Sequence, residues 1–274
     1  FLVQEAKQQV IKSYPDKQAV HIIIQNYKID DTHYTFLPDD INCNLISLDI
    51  LFICLPKKTI EYFKKLFFKL NISVNKFFCS TYVKSINYKD NFLSAKEVSF
   101  VDIGFKKTSI ACYSENKIIS IDVLPIGSNH ITSDISKILK VDLQEAENIK
   151  LFFDKKEKFL NKKKISLDLI QQIIFARTEE ILELCAKSIK SNLNLVTLKH
   201  HKMILMGEGS KILDNRYREK ISFSTDIDYL EETTEDICQS ALKLAEGLNK
   251  QEVLMIPKKQ IKQGFFENLF HLFK

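Results

Sequence analysis

Apolar residues recur along this chain with two different periods, and the changes of period divide it into alternating helices and strands. Residues 5–13 are polar with a helical spacing of apolar positions, whereas 19–24 (AVHIII) and 50–55 (ILFICL) have the length and apolarity of buried strands. Residues 57–70 return to the helical period and place Ile60, Phe63, Phe67 and Leu70 on one face. Three strand runs follow, at 97–104, 108–113 and 117–124. Pro125 and Gly127 then punctuate the step into a helix beginning near Thr132, with Ile135, Ile138 and Leu139 facing inward. A long helix at 167–193 comes next, then a short apolar strand at 202–206 closed by Gly207-Glu208-Gly209-Ser210, and a last helix at 233–248. The pattern predicts an α/β chain in which a small α/β module precedes a strand-turn-strand-strand-helix unit.

Composition narrows the function classes. At 274 residues the chain can bury a sizeable core and form more than one lobe, and 45% hydrophobic against 27% charged residues is a folded balance. The net charge of +5 is modest, and the basic residues are interspersed with acidic ones, so nucleic acid is not an expected partner. The 6 cysteines form no CxxC pair and stand near no histidine cluster, so neither a zinc site nor a disulfide framework is indicated and a reducing compartment fits best. The most apolar stretch, 45–55, carries Ser47 and Asp49 and is far shorter than the ~20 residues that a spanning helix requires. With no signal peptide in view, the reading is a soluble, cytosolic protein. The lysine-rich 151–166 reads as a solvated connection.

The C-terminal residues carry a different signal. On a helical wheel Phe265, Phe266, Leu269, Phe270, Leu272 and Phe273 fall on one arc of about 160°, with Glu267, Asn268, His271 and Lys274 opposite. Residues 249–263 read as a polar tether, and its Lys258, Lys259 and Lys262 suit anionic headgroups. Residues 264–274 are therefore expected to be an amphipathic membrane-surface helix, the other reading being a helix docked on its own protein.

The segment VDIGFKKTSIACYSENKI from Val101 ends a strand on an aspartate and a glycine, turns, and returns as a strand. It is followed in order by LPIGSNHITSDISKIL from Leu124, AENIK from Ala146, ARTEEIL from Ala176 and ILMGEGSKI from Ile204. This succession resembles the actin-like ATPase superfamily, and within it the bacterial cell-division family FtsA. Gly127, His130, Ile131, Thr132 and Asp134 resemble that family's Gly-Gly-x-x-Ile-Thr-x-Asp-Ile segment, and AVHIIIQNYKIDD from Ala19 resembles its small lobe.

The resemblance implies an actin-like (ribonuclease H-like) ATPase lobe with an additional small α/β lobe of the SHS2 type. Residues 1–80 would be the small lobe, 81–97 a link through the remnant of the first ATPase lobe, 98–150 with 200–248 the second ATPase lobe, and 151–199 an inserted subdomain. The family's first phosphate loop has no counterpart here, so the chain reads as an N-terminally truncated fragment. For ATP with magnesium, the resemblance places Asp102, Gly104 and Thr108 at a phosphate hairpin, Glu147 and Lys150 near the ribose, and Gly207, Gly209 and Ser210 near adenine. Departures stand at Phe105, Lys106, Lys107 and Ser109, and at Glu208, where the family pattern has glycines, a threonine, an aspartate and a further glycine. A β-carbon at such positions costs the close backbone approach to phosphate. Lys106 or Lys107 then either supplies charge to phosphate or belongs to a degenerate, solvent-facing loop.

No nucleophile with an adjacent base is visible, so neither a catalytic residue nor a metal site is assigned and an enzyme is not expected. Asp134 reads as a helix-start carboxylate. The resemblance implies a division adaptor at the cytoplasmic side of the inner membrane, at the septum. Its partners would be the C-terminal peptide of the tubulin homologue FtsZ, further copies of itself, anionic phospholipid and other division proteins. A PilM-like pilus adaptor or a kinase- or phosphatase-like enzyme of the superfamily are the other readings.

Overall fold

The computed structural model describes residues 1–39, 42–152, 166–212, 226–247 and 252–253. The tether residues 249–251 and 254–263, the helix expected at 264–274, and most of the lysine-rich connection lie outside the described residues.

The first module is a three-stranded antiparallel sheet flanked by helices. Helix α1 (Leu2–Ser13) leads into β1 (Lys17–Ile29), β2 (Thr32–Tyr34) and β3 (Ile46–Pro56), in the order β2-β1-β3, and α2 (Lys57–Phe68) follows. Strand β1 runs well beyond the apolar stretch at 19–24, because its pairing with β3 continues to Ile29↔Ile46 across two irregularities, at Ala19/His21 and Ile24/Asn26. Such bulges re-aim side chains. Gln25, in the second one, points out of the sheet and donates from Nε2 to the carbonyl of Ile118 at 2.6 Å, which ties the small sheet to the larger one. Helix α2 differs from its sequence reading: Ile60 is buried, but Phe63, Phe67 and Leu70 are 41%, 37% and 64% exposed. Only one turn of its apolar face rests on the sheet.

After α3 (Ser80–Tyr88) comes a five-stranded sheet built from β4 (Glu97–Ile103), β5 (Thr108–Ser114), β6 (Lys117–Leu124), β7 (His201–Met206) and β8 (Asp226–Tyr229). Its order is β6-β5-β4-β7-β8, with β4, β5 and β6 antiparallel and β4, β7 and β8 parallel. The β5–β6 hairpin turns tightly because Glu115 and Asn116 both take positive φ, 49° and 63°. Parallel pairing of β4 with β7 requires a long crossover. It is supplied by α4 (Ser128–Leu139), α5 (Leu143–Phe152) and the 26-residue α6 (Leu167–Asn192); α7 (Thr234–Ala245) follows β8.

Both faces of the central strands are covered, as their period-2 side chains record. Val101, Ile103, Met203 and Leu205 join Ile131, Ile135, Ile149 and Ile174 of the crossover helices in one core. Val98, Phe100, Ile204 and Met206 join Ile23, Ile60, Tyr82 and Leu244 in the other. Alternate residues of the same strand thus bury against different partners. Among the described residues no helix is long and apolar enough to cross a membrane.

Candidate functional site

The residues expected at a nucleotide gather where β4 and β7 end side by side, Asp102 pairing with Met206 in register. Loops leaving the ends of parallel strands are the usual place for a ligand in α/β sheets. Here the loop after β4 is held by the N-terminus of α4, and the loop after β7 packs against it.

Beyond Asp102 the chain turns through Gly104 to Lys107, closed by the Gly104 N–H donating to the Lys107 carbonyl at 3.0 Å. The N-terminus of α4 sits against this turn. Ser128 N–H donates to the Gly104 carbonyl at 3.0 Å and Asn129 N–H to the Phe105 carbonyl at 2.7 Å. The first amides of a helix have no partner within it and commonly hold an anion. In this chain two of them are spent on the hairpin. Helix α4 accordingly starts at Ser128 rather than near Thr132, and Asp134 lies in mid-helix, where its Oδ2 accepts from Arg177 Nε of α6 at 2.6 Å.

The glycines serve the same close packing. A β-carbon on Gly127 would stand 2.5 Å from the Gly104 carbonyl oxygen, and one on Gly209 2.6 Å from that of Ile103. Gly207, at φ +85°, backs onto Asp102, whose Oδ1 would be 2.2 Å from its β-carbon. Ser210 donates from Oγ to the Gly207 carbonyl at 2.7 Å, and Thr108, fully buried, from Oγ1 to the Ile126 carbonyl at 2.8 Å.

Glu147 and Lys150, one turn apart on α5, face α4. The ammonium of Lys150 lies 2.7 Å from Glu147 Oε2 and donates to Thr132 Oγ1 at 2.8 Å and to the Ser128 carbonyl at 3.3 Å. The Thr132 hydroxyl donates in turn to Glu147. Lys150 is buried with three acceptors for its three protons, and its charge stands 5.7 Å from the centre of the Phe105 ring.

Asp102 has a partner that the sequence reading did not single out. Lys84 of α3 donates from Nζ to Asp102 Oδ2 at 2.9 Å and also to Glu232, in the segment between β8 and α7. Burial pulls the Lys84 ammonium down, but its hydrogen bond to Glu232 and the charge of Asp102 outweigh this and raise it above the ordinary lysine value. Glu232 moves up in spite of Lys84, because burial outweighs the ammonium's pull. Its second oxygen, Oε2, is buried without a hydrogen-bond partner among the described residues. Nothing in the local sequence points to Lys84 or Glu232, which lie 148 positions apart and meet only through the fold.

Beside the hairpin lies a cleft of about 840 Å3, walled by Leu51, Ile53 and Leu55 of β3 on one side and by Asp102, Lys106 and Lys107 on the other. No group of three or more potential metal ligands occurs among the described residues. Part of the expected cradle for ATP with magnesium is engaged by other protein atoms, namely two α4 amides, the backs of Gly127, Gly207 and Gly209, and Oδ2 of Asp102, while Asp102, Gly104, Lys106 and Lys107 still line the cleft.

Comparison with known proteins places this geometry. Residues 99–166, from β4 through α5 and into the connection before α6, match the family model described as Cell division protein FtsA. The FtsA of Helicobacter pylori (strain ATCC 700392 / 26695) is 25% identical over 136 residues, which is 50% of this chain and 27% of that protein. The FtsA of Agrobacterium fabrum is 20% identical over 216 residues, 72% of this chain and 48% of that protein. The matched part thus spans less than half the length of either relative. Among solved structures, one described as a PilM-PilN type IV pilus biogenesis complex superposes with a TM-score of 0.60 at 12% identity, covering 90% of this chain and 66% of that one. MreB5 of Spiroplasma citri, described as bound to ADP, superposes with a TM-score of 0.51 at 13% identity, covering 71% of this chain and 67% of that one. The chain is therefore similar in sequence to the cell-division protein FtsA, and its α/β body has the fold of the actin-like ATPases.

Proposed function

We propose that the chain is a division adaptor that holds FtsZ polymers at the cytoplasmic side of the inner membrane, using the apolar face from Phe265 to Phe273 as its anchor. The observation that carries the reading is the match of residues 99–166 to the FtsA family. The amphipathic pattern of the C-terminal residues supports it. A short helix lying in the interface holds weakly by itself, since isolated helices shorter than ~12 residues are unstable in water. Self-association through the actin-like body would multiply such anchors at high effective concentration. Residues 151–199 are the part proposed to receive the FtsZ C-terminal peptide. The chain acts by binding, and ATP at the ends of β4 and β7 would serve assembly, not metabolism.

Co-sedimentation with vesicles containing anionic phospholipid tests the anchor. The full chain is expected to pellet with them and a chain lacking residues 264–274 to stay in solution; equal pelleting of both rejects the anchor. A second reading, an adaptor of a pilus machine, is favoured by the PilM superposition over 90% of the chain. Binding of an FtsZ C-terminal peptide supports the first reading, and binding of a PilN peptide instead supports the second.

A further inference from the structure

The surroundings of Asp102 contradict the magnesium-supporting role that the resemblance gives it. Mg2+ demands near-octahedral oxygen ligands at about 2.0–2.1 Å and keeps several of its waters. Here Oδ2 of Asp102 accepts from Lys84 Nζ at 2.9 Å. Oδ1 faces the Cα of Gly207, only 2.2 Å from where a β-carbon would stand. One oxygen is thus engaged by an ammonium and the other is packed against backbone, so an ion entering from the cleft that Asp102 lines meets a carboxylate whose oxygens are already taken.

Lys84 is held from its other side by Glu232. Its side chain is 13% exposed, between carboxylates that are 15% and 12% exposed. An ammonium set between two nearly buried carboxylates supplies one of the two positive charges that a divalent ion would bring to such a pair, and removing it leaves two like charges largely shielded from water. Lys84 stands on α3, whose Tyr82, Val83 and Ser85 are buried, so the ammonium is placed by the fold.

We propose that Lys84 is a built-in counter-cation: its ammonium takes the place of a divalent cation at Asp102, and the centre at the end of β4 binds no metal ion while Lys84 is present. The proposal stands apart from the adaptor reading, because neither vesicle binding nor peptide binding reports on this centre.

Mn2+ titrated into the full chain and followed by electron paramagnetic resonance tests it. The wild type is expected to show no Mn2+ site that Asp102→Asn removes. Lys84→Met removes the ammonium from between Asp102 and Glu232, and it should bind Mn2+ at least about tenfold more tightly than the wild type, a gain that Asp102→Asn then abolishes. A wild-type site lost in Asp102→Asn overturns the proposal, as does a folded Lys84→Met chain that binds Mn2+ no more tightly than wild type. Should Lys84→Met be unfolded in chelator, recovery of its circular dichroism on adding Mn2+ or Mg2+ is the expected result. Failure of both ions to restore it overturns the proposal equally.

Discussion

Nδ1 of His21 lies 2.9 Å from Oε1 of Glu252, joining the first strand of the small sheet to a residue 231 positions further along the chain. The Cys79 N–H donates to the other ring nitrogen, Nε2, at 2.9 Å, so the imidazole proton sits on Nδ1 and points at the carboxylate. Backbone reinforces the link: Val253 N–H donates to the Ile22 carbonyl at 2.8 Å, and Ile23 and Glu252 form an antiparallel bridge. The chain that follows, toward the proposed anchor, therefore leaves from the small sheet.

This arrangement predicts unequal costs for its two partners. Glu252→Gln keeps an acceptor for the His21 proton and removes a buried charge whose Oε2 has no partner among the described residues, so stability should change by less than about 1 kcal/mol. His21→Leu strands both the Glu252 carboxylate and the Cys79 N–H, with Lys76 only within 3.7 Å of the former, and should cost about 3 kcal/mol. Urea unfolding of the two variants decides; similar losses would show that the pair is not coupled as drawn.

What the sequence revealed and what it hid follow from the range of the interactions involved. The helix read at 167–193 forms at Leu167–Asn192 because a long 3.6-residue period, with Ile170, Ile174, Ile181, Cys185 and Ile189 all turned inward, leaves no competing structure. The start of α4 moved to Ser128 because it is set by hydrogen bonds to Gly104 and Phe105, which no local pattern encodes. Phe63 and Phe67 of α2 share a face with Ile60 yet stay largely exposed, since periodicity gives a face but not the extent of what covers it. The hairpin at Asp102–Thr108 was legible from its motif, whereas Lys84, which neutralises Asp102, lies on a separate helix and carries no motif at all.

The closed packing of the loops makes Gly127 intolerant of any side chain. Its β-carbon would meet three backbone atoms, the Gly104 oxygen at 2.5 Å and the Lys107 nitrogen and Phe105 oxygen at 2.8 Å each, none of which can rotate away. Gly127→Ala should cost about 2 kcal/mol or more, as overpacking against fixed atoms does. A loss below about 0.5 kcal/mol in chemical denaturation would mean that the hairpin and the α4 N-terminus are not in contact in solution.

Thiol reactivity should separate the cysteines by burial. Cys43 and Cys238 are exposed, whereas Cys112 and Cys185 are buried. Burial pushes the Cys185 thiol up to about 12 and raises Cys112 as well, so neither forms the reactive thiolate at neutral pH. Treatment of the native chain with Ellman's reagent should modify Cys43 and Cys238 rapidly and leave Cys112 and Cys185 intact until denaturant is added. Fast modification of Cys185, read by peptide mapping, would contradict the packing of α6 on the sheet.

His201 supplies a pH dependence whose sign is fixed by its position. It opens β7, is 2% exposed, and its Nε2 lies 3.0 Å from Ser99 Oγ of β4. Burial lowers its value from 6.5 to about 4. The unfolded chain therefore takes up a proton at His201 before the folded chain does. Its contribution favours the folded state fully above the unfolded value and is lost as pH falls from there toward the folded one. Between pH 7 and pH 5 the loss amounts to about 2 kcal/mol at this residue, and it levels off once both states are protonated. Comparing urea midpoints at these two pH values in wild type and in His201→Gln isolates the effect, because the glutamine does not titrate. The wild type should lose about 2 kcal/mol more than the variant over this interval. An identical pH dependence in the two would place a solvated, freely titrating imidazole at the start of β7 and rule out its burial against Ser99.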